Sequence, residues 1–143
     1  MTDQGGRILG IDYGTKRVGL SISDPLCIIA QGVGTFQNDD RLLERLQQII
    51  REREVERIVV GMPYGPDGGK SAKGLEVETF IERLRGITNL RIETWDESHS
   101  SVNAQRVFIE GGMKKKRRQE KSRLDEMAAR IMLQEYLDHS EAR

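Results

Sequence analysis

The chain has 143 residues, with 23 acidic side chains balanced by 23 basic ones and a single cysteine, Cys27. Balanced charge excludes a global field that draws the protein to nucleic acid or to a membrane, so such binding must come from a local cluster. One cysteine excludes an intrachain disulfide, and no Cys/His cluster suggests zinc. No membrane span or signal-peptide pattern is evident, so we expect one cytoplasmic domain over residues 1–143 without a membrane partner.

The first apolar segment, residues 8–12, ends in a carboxylate, Asp12. Gly14 and Lys16 follow at a turn, and residues 18–23 then alternate apolar side chains with small or polar ones. This pattern predicts two antiparallel strands joined by a short turn. Because an Asp at a strand end is usually a turn residue, Asp12 becomes a candidate site only if other carboxylates join it.

The middle of the chain predicts an alternation of strands and helices. Residues 28–36 form the third predicted strand, and the helix that follows carries an apolar stripe over residues 42–50, with an N-cap among residues 38–40. A continuous apolar run, 57–61, is typical of a strand that is covered on both faces. The second helix is marked by Val77, Phe80, Ile81 and Leu84.

Residues 62–74 form a glycine-rich loop between that strand and the second helix. Its segment 65–71, Gly-Pro-Asp-Gly-Gly-Lys-Ser, is similar to a phosphate-binding P-loop. That motif requires four residues between its first glycine and Gly-Lys-Ser, however, and this chain has three. The shorter loop would misdirect the backbone N–H groups that bind phosphate, so we interpret the segment as a mobile loop beside the active face.

The last part of the chain predicts one more strand and two helices. Residues 90–95 alternate as a strand that ends in Asp96 and Glu97. A helix is expected within residues 100–112, where two glycines end it. The final helix is expected to begin near Ser122.

This order of elements predicts an α/β domain. Helical crossovers return the chain in the same direction, so the two later strands should lie parallel to the first. The first three strands, in contrast, should be antiparallel to their neighbours because they are joined without a crossover helix. The expected result is a mixed five-stranded sheet with helices on its faces.

Three carboxylates become candidates for one site in this fold. Asp12 and the pair Asp96–Glu97 each end a strand, and both would emerge at the carboxyl edge of the sheet, where open α/β sheets bind ligands. Asp125 is the third, because on a helix it borders an apolar stripe whose alanines allow close approach to the sheet. Any one of these acids is as readily a turn or helix-start residue, so the prediction depends on all three together.

Converging carboxylates repel one another, and a divalent cation resolves that conflict. Ligand sets made only of oxygen select a hard metal, so Mg²⁺ or Mn²⁺ is the expected cofactor. Metal pairs held by carboxylates catalyse phosphoryl displacement, because one activates water while the other stabilises the leaving oxygen. The acids therefore predict a metal-dependent hydrolase of phosphodiesters.

A basic run lies just before the last predicted helix. It consists of Lys114, Lys115, Lys116, Arg117 and Arg118. Such a run is often only a solvated stretch, but here it would lie near the proposed metals and could neutralise several phosphates. Aromatic residues make up only 5% of the chain, too few for a platform that stacks single-stranded bases. Structured nucleic acid is therefore the expected partner.

Four segments of the chain resemble the YqgF family. They are residues 10–19, 59–63, 96–97 and 124–137, so the resemblance extends over nearly the whole chain. It implies an RNase H-like fold and one of two activities, resolution of Holliday junctions or maturation of the 5′ end of pre-16S ribosomal RNA. The family usually continues after Asp-Glu with Arg and a Thr pair, whereas this chain has Ser-His-Ser-Ser at 98–101.

The resemblance also implies roles for particular residues. Asp12, Glu97 and Asp125 would be the catalytic acids that bind the metal, and Lys16 and Arg17 would face the nucleic acid. Because this chain has Ser98 in place of the usual arginine, the resemblance does not imply the substrate or structural contact of that arginine, whereas it still implies the acids.

Several functions remain open at this point. The first is a metal-dependent nuclease that matures pre-16S rRNA in ribosome biogenesis, and the alternatives are a Holliday junction resolvase in DNA recombination and repair or a non-catalytic RNA- or ribosome-binding factor. The segment 10–15 also resembles the phosphate loop of actin- and Hsp70-like ATPases, but those proteins need two lobes. The oligomeric state, monomer or weak homodimer, is open too, since a resolvase that cuts two strands would require a dimer.

Overall fold

The computed structural model describes residues 6–63, 71–97 and 117–139, with side chains of the last range from Arg123 onward. The elements in these ranges, in chain order, are β1 Arg7–Asp12, β2 Arg17–Ser23, β3 Ala30–Gln37, α1 Leu42–Glu52, β4 Val55–Met62, α2 Ala72–Arg85, β5 Arg91–Asp96 and α3 Arg117–His139.

The strands form one five-stranded sheet in the order β3-β2-β1-β4-β5. β2 is antiparallel to both β1 and β3, while β4 is parallel to β1 and to β5. The predicted mixed sheet is therefore confirmed. β1 lies at its centre, so the acid at the end of β1 has a strand on either side.

Strand alternation gives the sheet two different faces. Leu9 of β1 belongs to a buried cluster with α1 and α2, which includes Phe80. Its neighbour Ile8 belongs to a second buried cluster, with Met132 and Leu133 of α3. The sheet is thus the middle of three layers, with α1 and α2 on one side and α3 on the other.

Small residues allow α3 to lie close to the sheet. Ala128 and Ala129 of α3 are 3% and 0% exposed, respectively. The buried hydroxyl of Ser21 in β2 donates to the carbonyl oxygen of Ala129 at 2.8 Å. This contact joins strand and helix backbone almost directly, as the alanines in the sequence suggested.

The predicted starts of two helices were wrong. The N-cap of α1 is Arg41, not a residue among 38–40, because Asp39 instead closes a turn one step earlier, accepting through Oδ1 from the Arg41 N–H at 3.0 Å. α3 begins at Arg117 rather than near Ser122. The intervening residues are good helix formers without a glycine or proline, so nothing stops the helix from extending. Arg117 and Arg118 of the basic run therefore lie within α3.

Some predictions fall outside the described residues. They concern the greater part of the glycine-rich loop (64–70), the helix within 100–112, the Ser-His-Ser-Ser segment at 98–101 and Lys114, Lys115 and Lys116. Among the helices that are described, none combines the length and apolar character needed to cross a membrane.

Candidate active site

Asp12 is a buried acid between two glycines. It ends β1 and is only 5% exposed. Gly19 of β2 is its antiparallel partner. On the other side Ile11 pairs with Val60, so the next residue of β4, Gly61, lies beside Asp12. Since neither neighbour has a side chain, there is room above Asp12 for groups from other elements.

Glu97 occupies the space above Gly61. It follows β5 directly and is 5% exposed. A Cβ atom built on Gly61 would overlap Oε2 of Glu97 and lie 3.0 Å from its Cγ. The Glu97 carboxylate therefore lies across Gly61, on the side of the sheet where Asp12 ends β1.

Asp125 reaches the same edge from α3. A Cβ atom on Gly19 would overlap the Asp125 carbonyl oxygen and lie 3.2 Å from the Asp125 Cβ. The α3 backbone thus contacts β2 at the residue that pairs with Asp12. The structure accordingly places Asp12, Glu97 and Asp125 around the carboxyl end of β1.

Asp96, the other acid at the end of β5, lies on the opposite face. It pairs with Met62 of β4, which is buried in the cluster beneath α1 and α2. Cross-strand partners share a face, and successive residues alternate. Asp96 is therefore separated from Glu97 although the two are adjacent in sequence.

The two basic residues of the hairpin turn differ in their contacts. Lys16 is exposed, whereas Arg17 is partly buried. The Arg17 Nε–H donates to Oδ2 of Asp125 at 2.9 Å, and the side chains are 23% and 19% exposed. Sequence reasoning missed this ion pair because its members are 108 residues apart. The resemblance had suggested only that Arg17 faces nucleic acid.

The acids fit a hard cation by their chemistry. Carboxylate oxygens are the ligands that Mg²⁺ and Mn²⁺ prefer, and Asp12 and Glu97 are both buried at one edge. Within the described ranges, however, no three His, Cys, Asp or Glu side chains are grouped closely enough to hold one metal ion. Asp12 and Glu97 are thus the two acids whose chemistry fits a cation, while the carboxylate of Asp125 forms an ion pair with Arg17.

A second polar network anchors the far half of α3. The Tyr136 hydroxyl donates to Oε1 of Glu93 in β5 at 2.7 Å and accepts from Nη1 of Arg57 in β4 at 3.1 Å. Burial, together with the bond to Glu93, raises the pKa of Tyr136. This network was not predicted from the sequence either.

Comparison with known proteins agrees with this architecture. A family model described as "RuvX: Holliday junction resolvase" matches residues 6–139. A relative from Chlorobium luteolum, named "Putative pre-16S rRNA nuclease", is 44% identical over 136 residues, which cover 94% of this chain and 96% of the relative. A relative of the same name from Desulforamulus reducens is 42% identical, with 92% of this chain and 96% of the relative covered.

Two solved structures have the same fold. Thermus thermophilus RuvC in complex with a Holliday junction substrate matches with a TM-score of 0.58 at 14% identity, covering 92% of this chain and 93% of that one. The fowlpox virus Holliday junction resolvase matches with a TM-score of 0.52 at 15% identity, covering 94% and 99%. The predicted RNase H-like fold is confirmed. The resemblance identified from the four sequence segments is confirmed as well, and the chain belongs to the RuvX family of Holliday junction resolvase-like nucleases.

Proposed function

We propose that this protein is a Mg²⁺- or Mn²⁺-dependent nuclease that hydrolyses phosphodiester bonds at the 5′ end of precursor 16S rRNA. The observation that carries the proposal is the burial of Asp12 and Glu97 at one edge of the sheet, beside two glycines that allow the Glu97 side chain and the α3 backbone to approach Asp12. An RNA precursor of this kind is a cytoplasmic substrate, consistent with the location expected from the sequence.

Burying two carboxylates on one face is unfavourable unless positive charge or hydrogen-bond donors compensate for the lost hydration. Asp12 and Glu97 would hold the cation, and Asp125 would complete its ligands. A divalent cation bound there supplies Lewis acidity, neutralises charge at the scissile phosphate and lowers the pKa of a water ligand. The role of the protein would be to fix the carboxylates before the substrate arrives, through their positions at the ends of β1 and β5.

Basic residues of the chain would hold the nucleic acid beside these acids. Lys16 is exposed on the hairpin turn at the same edge. Arg117 and Arg118 belong to the helix that carries Asp125, about 12 Å earlier along its axis at 1.5 Å per residue. We expect these residues, with Lys114 to Lys116, to contact phosphates and to position the substrate without reading its sequence.

Precursor rRNA is preferred to a DNA junction because relatives about 40% identical over nearly their whole length are named for it. The description of the family model favours the alternative, a four-way DNA junction. A resolvase would need two active sites and hence a dimer, whereas an RNA-trimming enzyme could act as a monomer.

The test compares wild type with Asp12→Asn on two substrates, a precursor 16S rRNA fragment and a four-way DNA junction, with Mg²⁺ or with EDTA. We expect wild type to cleave the RNA only with Mg²⁺. Asp12→Asn should lower the rate at least about a hundredfold, because even a group that merely supports a metal ligand contributes ten- to a hundredfold.

Thermal unfolding of Asp12→Asn serves as the control, since the two side chains have nearly the same shape and the variant should remain folded. Cleavage of the junction but not the RNA would identify a resolvase. The proposal is wrong if wild type shows no metal-dependent cleavage, or if Asp12→Asn cleaves as well as wild type does. The protein is then a binding factor.

A further inference from the structure

We infer that Arg17 is an internal counter-ion for Asp125, and that a divalent cation displaces it so that its guanidinium becomes available to a phosphate of the substrate. This inference rests on the proposed function, because it assigns Asp125 to the cation site. It goes further by coupling the binding of metal to the binding of nucleic acid through one arginine.

The first step of the argument is the contact itself. Arg17 lies at the start of β2 and reaches Asp125 on α3 through Nε at 2.9 Å. Both side chains are about four-fifths buried, so solvent screens this pair less than a surface pair. The bond uses one of the five N–H donors of the guanidinium, a planar group whose remaining donors match the oxygens of a phosphate.

The second step is that the packing of α3 on β2 holds the backbone of Asp125 at the site. Its backbone is seated on Gly19, where even a Cβ atom would overlap the Asp125 carbonyl oxygen. The Ser21 hydroxyl fixes the next turn of α3 by its bond to Ala129. A cation that binds Asp125 at the end of β1 must therefore compete with Arg17 for the Asp125 carboxylate.

The third step follows from charge. Three acids around the end of β1 repel one another in the absence of metal, and the Arg17 guanidinium offsets part of that repulsion. A divalent cation brings two positive charges to the same acids, so Arg17 is no longer needed there. Released from Asp125, it remains at the start of β2, next to exposed Lys16 on the turn, at the edge where the phosphodiester would bind.

Exchange of this kind predicts a reciprocal coupling. If the ion pair occupies Asp125 about nine-tenths of the time without metal, removing Arg17 should raise the affinity for Mg²⁺ about tenfold. Conversely, Mg²⁺ should tighten nucleic-acid binding in wild type, and this effect should be lost in a variant without Arg17.

The experiment measures Mg²⁺ binding without nucleic acid by calorimetry, at about 0.15 M salt, where exposed charges are screened beyond about 8 Å. Arg17→Gln should bind Mg²⁺ about tenfold more tightly than wild type. Arg123→Gln is the matched control, because Arg123 is exposed on α3 two residues before Asp125 and its loss changes the net charge equally. Equal Mg²⁺ affinity in wild type and Arg17→Gln, or an equal gain in Arg123→Gln, overturns the inference.

A second readout follows the ion pair directly. In protein labelled with ¹⁵N-arginine, the Arg17 Nε–H signal, identified by its absence in Arg17→Lys, should exchange slowly with solvent. It should shift and exchange faster when Mg²⁺ is added, and Asp125→Asn should produce the fast exchange without metal. A signal that saturating Mg²⁺ leaves unchanged overturns the inference even if the nuclease is active. If Mg²⁺ releases Arg17 but no substrate is cleaved, the proposed function fails and the inference stands.

Discussion

The two faces of the sheet differ most beside the acids. Beneath α1 and α2, the strands present large apolar side chains such as Leu9, Leu20 and Ile58, all fully buried. Beneath α3, β2 and β4 instead present Gly19 and Gly61 beside the acids. Buried apolar area stabilises the fold on both faces, since Ile8 and Met132 belong to a buried cluster beneath α3. Beside the acids, however, the α3 face omits side chains, so that carboxylates from other elements can approach. The candidate site therefore depends on the absence of side chains at Gly19 and Gly61 as well as on the acids themselves.

The largest expected effect on stability comes from adding a methyl group to the α3 face. Gly19→Ala should destabilise the protein by about 3 kcal/mol, because its Cβ would meet helix backbone that cannot adjust locally and overpacking costs about that much. Denaturant unfolding measures the change in the free energy of unfolding.

Gly32→Ala in β3 is the matched control for Gly19→Ala. Its Cβ would meet the side chain of Glu126 from Cγ to the carboxylate, and this side chain, unlike helix backbone, can rotate away as a whole, so we expect a change of less than about 1 kcal/mol. A similar decrease in the free energy of unfolding in both variants would show that close contact with the α3 backbone does not distinguish Gly19 from Gly32.

A smaller effect is expected at the other end of α3. Tyr136→Phe removes the hydroxyl that bonds to Glu93 and Arg57, which should cost about 1–2 kcal/mol. Because burial raises the pKa of Tyr136, the neutral phenol is favoured in the folded state. That contribution to stability is present below about pH 10, the ordinary pKa of tyrosine, and is lost as the pH rises through the folded value.

The difference in unfolding free energy between wild type and Tyr136→Phe should therefore be constant near neutral pH and shrink above about pH 10. Tyr13→Phe is the control, since it removes the same atom from a ring that stacks on Phe80 at 4.5 Å in the other layer. A difference for Tyr136→Phe that stays constant up to pH 11 would contradict the account of this network.

Local patterns were sufficient to predict the sheet. The alternation after Asp12 predicted the hairpin, and the helices between the later strands required parallel pairing, because a crossover returns the chain in the same direction. The meeting of Asp12 and Glu97 at one edge followed from the same topology. These features depend on periodicity and connection type, which the sequence displays directly.

Features set by tertiary contact were not predictable in this way. Nothing near Arg17 in the sequence indicates a carboxylate 108 residues away, and the ion pair exists because Gly19 lets α3 approach β2. Which of Asp96 and Glu97 lies on the face of Asp12 depends on the exact register of β5 against β4. A slip of one residue in that register would move each side chain to the other face.

The position of these two acids also gives the most direct test of the account. The measurement is single-turnover, Mg²⁺-dependent cleavage of the precursor 16S rRNA fragment by Glu97→Gln and Asp96→Asn, which neutralise adjacent acids on opposite faces. The account predicts that Glu97→Gln lowers the rate at least about a hundredfold while Asp96→Asn stays within about threefold of wild type, since only Glu97 lies with Asp12. Wild-type cleavage by Glu97→Gln, or an equal loss in Asp96→Asn, would contradict it.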